Sequence, residues 1–216
     1  MLLLNDFAAA EIVEDARSTL LDVDTSRDNR MAAAYLLIML LPDDPVWGGS
    51  HHLLDSLEIL RLTRIALRFH VNSSTLWRLR SLAFSRTPTD PGQEAKFLAE
   101  VSGFKKFNYH LFSHWGSVIT SANFADHHMR PLLQFIRRNP SNYSPFNVLL
   151  KGILESPSRA DVLRIVLGEL SEHEMILSSP AFRQFFRSLV MTHDRSLLPL
   201  LSGLSGRFPN TIAEWT

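Results

Sequence analysis

His110 and His114 stand four residues apart in the stretch NYHLFSHWGS. A helix there would set both imidazoles on one face, which is the spacing two metal ligands need. Asp126 and His127 follow one short connection later and could supply a third ligand, leaving a fourth position open to water as in a catalytic zinc site. The pattern stops short of a hydrolase's. Leu111, Phe112 and Ser113 occupy the places where an H-E-x-x-H helix carries its glutamate base. Tyr109, Phe112 and Trp115 share the segment, so packing is the stronger reading, with the imidazoles hydrogen-bonded at the margin of a core. No metal and no cofactor is therefore expected; His110, His114, Asp126 and His127 are the residues a metal would use if packing did not claim them. His51 and His52 beside Asp55 make a weaker pair, because adjacent helical residues point apart.

The arginines form the second constellation. Arg61, Arg64 and Arg68 recur at helical spacing, and Arg78 and Arg80 follow on the next amphipathic segment beside Trp77. Such a stripe is most simply a solvated ridge. As a binding surface it would pair with carboxylates, or hold phosphates while Phe69, Trp77 or Phe84 stacked on bases. Arg183 and Arg187 flank Phe182, Phe185 and Phe186 in FRQFFRSL, where rings beside arginines suit a protein interface. Trp47 and Trp215 raise the same question from a loop and a terminus.

Nucleotide and nucleophile chemistry leaves no trace. No G-x-S-x-G, G-x-x-x-x-G-K-[ST], G-x-G-x-x-G or D-x-[DN]-x-[DN]-G loop occurs, and nine glycines in 216 residues give little backbone to cradle a phosphate. With no cysteine, disulfides, thiolate zinc and a thiol nucleophile are all excluded, and an intracellular setting is expected, cytoplasm and nucleus being indistinguishable. Twenty-two basic and 22 acidic residues cancel, so no bulk field draws the chain to nucleic acid or membrane, although a local patch still could. The longest uncharged apolar run, MAAAYLLIMLLP, falls well below the roughly 20 residues of a membrane span, and no membrane partner is expected.

These groups need elements to hold them, and almost every stretch repeats apolar residues at helical pitch. Helices are expected from Asn5 or Asp6, after Thr25 or Ser26, from Ser50 through His70, and after Asn72 or Ser73. TPTDPGQ then breaks the chain. Beyond it, QEAKFLAEVSG, FKKFNYHLFSHWGSVITSA, DHHMRPLLQFIRRNP and SPFNVLLKGILES read as helices, with Pro131 in a first turn or at a kink and Pro145 in a first turn. SRADVLRIVLGELSEHEMIL opens on a box-like Ser158 and Asp161, and two further helices follow, each started by a serine. The expected fold is all-α, about ten or eleven helices in stacked antiparallel pairs, either an irregular repeat-like array or a closed bundle. It is expected to be one domain over 1–216, with lobes 1–86 and 92–216 around a hinge near 87–91.

A helical stack without catalytic motifs points to a non-catalytic interaction or scaffold domain. The expected partner is a protein or peptide, with membership of a larger assembly, through Arg61, Arg64, Arg68, Arg78, Arg80, Trp77, Arg183 and Arg187. Nucleic acid on the arginine stripe is the alternative, and a metal-dependent enzyme at His110 and His114 the distant one.

Overall fold

The computed structural model describes residues 6–22, 24–48, 54–87 and 89–192. The readings made of Asn5, Ser50, His51, His52, Trp215 and the last serine-started helix lie outside them. The described residues form eleven α-helices and no strand, and they divide into two compact units, Met1–Thr89 and Asp90–Thr216.

In the first unit α1 (Asp6–Leu21) packs on α2 (Arg27–Leu40), and α3 (Ser56–Ala66) on α4 (Ser74–Arg86). Ser26 and Ser73 cap α2 and α4 through their side chains, as their position before the apolar runs implies. The start of α3 is a correction. Asp55 is its N-cap, accepting from Glu58 N while the Glu58 carboxylate accepts from Asp55 N. This reciprocal box satisfies two otherwise orphaned donors, a stronger stop than a single serine five residues earlier. Glu58 also takes Arg27 Nε at 2.5 Å, joining the start of α2 to the start of α3.

Between the helix pairs the chain folds back on itself. Trp47, in a 3-10 turn (Pro45–Gly48), is only 1% exposed and donates Nε1 to the Leu41 carbonyl at 3.1 Å, so this loop tryptophan is core and no surface anchor. Burial pushes the Asp44 carboxyl up, but Arg17 and the Val46 N–H outweigh it and hold it below the ordinary carboxylate range.

The second unit is built around α8 (Tyr143–Glu155). It meets α6 (Tyr109–Val118), α7 (Met129–Arg138), α9 (Arg159–Ser171) and α11 (Pro180–Met191), while α5 (Pro91–Ser102) packs on α6 and α7. The short α10 (Glu174–Leu177) turns the chain between α9 and α11. Here the expected single helix over 158–177 is interrupted. Ser158 holds the cap position of α9 without a side-chain bond, and Asp161 pairs with Arg164 instead of completing a box.

Two devices set up this unit's interior. A π-turn over Phe124–His128 precedes α7, its wide winding carried by Met129 N bonding Phe124 O. It lays the Phe124 ring on α8 at Gly152, where a Cβ would overlap the ring, so only glycine fits that crossing. The ring cluster of Phe146, Phe182, Phe185 and Phe186 then joins α8 to α11, with Phe146 and Phe185 centroids 5.5 Å apart. Among the described residues no helix is long and apolar enough to cross a membrane.

Candidate interaction surface

The side of α3 that meets α4 is fixed by its apolar spacing. Ile59, Leu60, Leu62, Thr63 and Ala66 are buried, together with Leu76, Trp77, Leu79, Arg80 and Ala83 of α4. That register turns Leu57, Arg61 and Ile65 outward at successive i, i+4 positions, with Arg68 and Phe69 continuing the stripe in the turn after the helix. Phe69 is 67% exposed. On α4, Arg78 and Arg86 are exposed, and Arg64 is half-buried on α3.

No acidic residue occurs between Glu58 and Asp90, while six arginines do. Glu58 itself is buried and already engaged by Arg27. The outer face of this hairpin is therefore cationic and apolar together, with no carboxylate of its own to neutralise Arg61 or Arg78.

Two of the residues expected to bind a partner belong inside. Arg80 is 3% exposed and donates Nη1 to the Leu60 carbonyl at 2.9 Å and to Thr63 Oγ1 at 3.1 Å. Trp77 is 2% exposed and donates Nε1 to the Val71 carbonyl at 2.7 Å. Both weld α4 to what precedes it. Their i, i+3 position, Trp77 to Arg80, is the inward side of α4. Arg183 and Arg187 are exposed on α11 in the other unit, but Phe182, Phe185 and Phe186 beside them are all buried, so those two cations have no exposed ring from that segment for company.

The histidines separate. His114 is buried, and its Nε2 lies 2.9 Å from Glu94 Oε1 of α5, itself buried. His110 is half-buried with its ring edge-on to Tyr109, whereas Asp126 and His127 are exposed. Among the described residues no three His, Asp or Glu side chains are placed to hold a metal ion. The partner of His114 is thus a carboxylate 20 residues upstream, which no local spacing announces. His128, one position beyond the expected set, is the other buried imidazole among the described residues: Trp115 Nε1 donates to its Nδ1 at 3.1 Å, so Nε2 carries the hydrogen. Burial, reinforced by the like charge of His127 and only partly offset by Glu94, pushes its pKa down to about 4 and keeps the ring neutral at neutral pH. Shut away from solvent, these groups hold α5, α6 and the π-turn together.

One surface escaped the sequence reading. FKKF was read as the start of the helix holding His110 and His114, yet α6 begins only at Tyr109, capped by Asn108, whose Oδ1 accepts from Leu111 N at 3.1 Å. Residues 103–107 are an exposed turn that includes Phe104, Lys105, Lys106 and Phe107. The signal was available, since asparagine before an apolar helical run is a preferred cap. On α2, Tyr35, Leu36 and Leu40 leave a further exposed apolar strip. No known family model, curated protein or solved structure matches the chain.

Proposed function

We propose that the chain is a non-catalytic interaction domain whose α3–α4 hairpin binds a protein partner through an acidic segment bearing apolar side chains. The observation that carries this reading is the composition of one exposed stripe, Leu57, Arg61, Ile65 and Phe69, in which aliphatic, cationic and aromatic side chains alternate with no carboxylate among them. Arginine and aromatic rings are what protein interfaces enrich, and the aliphatic positions supply the dry centre such interfaces need. Nucleic acid would use the same arginines for phosphates but would gain little from Leu57 and Ile65, whose side chains offer neither charge nor a face for stacking.

The test compares capture from nuclease-treated native extract by the wild-type chain and by R61E/R78E, two exposed sites whose reversal is expected to leave the helical circular dichroism intact. The expected result is a discrete set of proteins held by the wild type and lost by the variant. Identical capture by both, or material released by the nuclease, contradicts the reading.

A further inference from the structure

The turn between α5 and α6 is a projecting surface of a different kind. Phe104 is 54% exposed, Phe107 66% and Tyr109 74%, with Tyr143 at the start of α8 also exposed. Lys105 and Lys106 sit between the two phenylalanines. The turn is anchored and not loose: the buried Asn142 donates Nδ2 to the Lys106 carbonyl at 2.6 Å while its Oδ1 accepts from Ser144 N, and Asn108 pins the other end as the cap of α6. Apolar rings fixed in water have no local reason to be there. A free turn would fold them back onto the body.

The surrounding charge is mainly basic, with the exposed Glu100 one turn before Phe104, Arg137 paired with Glu169 and Lys151 with Glu155. From Val101 to Leu154 the only acid is Asp126, against Lys105, Lys106, Arg130, Arg137, Arg138 and Lys151. Beside the turn, a cleft of about 220 Å³ is lined by Ser102, Lys106, Gln134, Phe135, Arg138 and Asn139. Neither Lys106 nor Arg138 pairs with a carboxylate among the described residues. Lys106, Arg138 and the Gln134 amide supply donors of the kind an anionic headgroup requires, while the Ser102 hydroxyl donates to the Ala99 carbonyl and Asn139 Nδ2 to the Phe135 carbonyl.

We propose that this end of the second unit docks on an anionic lipid surface, Phe104 and Phe107 entering the headgroup region, Lys105 meeting lipid phosphates, and the cleft between Lys106 and Arg138 holding one headgroup. Rings held exposed on an anchored turn suit a partner that yields to them; a bilayer accepts any exposed ring, whereas a folded protein needs a pocket cut to fit and a nucleic acid strand needs a track of cations leading past the rings. The attachment is peripheral and independent of the α3–α4 face.

The full chain is sedimented with vesicles of phosphatidylcholine alone and with vesicles containing roughly one-third phosphatidylserine, the anionic lipid that attracts basic segments. Binding is expected only to the second kind, reduced roughly tenfold or more in both F104A/F107A and K105E/K106E. R61E/R78E should sediment like the wild type, which separates failure here from failure of the hairpin's role. Because all four altered side chains are exposed, loss of fold does not confuse the result. The proposal is overturned if phosphatidylserine adds nothing, if F104A/F107A binds as well as the wild type, or if single-stranded RNA or an acidic protein competes the chain off the vesicles through Phe104 and Phe107.

Discussion

Arg80 Nη1 lies 2.9 Å from the carbonyl oxygen of Leu60, an arginine of α4 spent on the backbone of α3. It shares a segment with Arg78, yet two residues along a helix reverse inside and outside. The two should therefore fail differently. Arg80→Ala strands a buried acceptor and opens a cavity, lowering stability of the first unit by about 2–4 kcal/mol. Arg78→Ala should stay within about 0.5 kcal/mol while weakening partner capture. Urea unfolding followed by tryptophan fluorescence checks the first statement, and equal midpoints for the two variants would refute it.

Gly152 and Phe124 should show a change of sign. Gly152→Ala in the native background forces a methyl into the Phe124 ring and should cost about 1–3 kcal/mol or more, although alanine is the better helix former by about 1 kcal/mol. With Phe124→Ala already in place, the same Gly152→Ala should be neutral or stabilising. A double-mutant cycle on urea midpoints measures this, and additive effects would mean that the ring does not press on α8.

His128 makes the second unit acid-sensitive in a defined window. The unfolded imidazole takes a proton near pH 6.5 and the folded one only near pH 4, so the unfolded state holds more protons between those values and stability falls as pH falls. The loss is complete below about pH 4 and amounts to about 3 kcal/mol, from 1.36 kcal/mol per pH unit. Unfolding free energy measured from pH 7 to 4 should drop accordingly, and in His128→Gln the His128 share of that slope should vanish. A slope equal in both proteins would place the acid sensitivity elsewhere.

The helices themselves were legible because each carries its own spacing and, at Ser26, Ser73 and Ser179, its own cap. What stayed hidden depended on partners distant in sequence. Glu94 and His114 are separated by 20 residues, and nothing local to the histidine distinguishes a ligand from a buried base paired with a carboxylate. Arg80 looked like surface because arginine is rarely buried, and its bonds to the Leu60 carbonyl and Thr63 Oγ1 across the hairpin explain the exception, as the Val71 carbonyl does for Trp77. FKKF looked helical because its rings stand three apart; the stop came from Asn108, whose preference for a cap outweighed that periodicity.

The central claim, that the α3–α4 face meets an acidic protein segment, is tested most directly by a photo-crosslinking residue placed at Phe69 and, as a control, at the exposed Glu14 of α1. In nuclease-treated native extract the account predicts a covalent protein adduct from position 69 alone, with the crosslinked peptide rich in Asp or Glu beside an apolar residue. Adducts of equal yield from both positions, or an adduct that is nucleic acid when the nuclease is omitted and disappears when it is added, would contradict it.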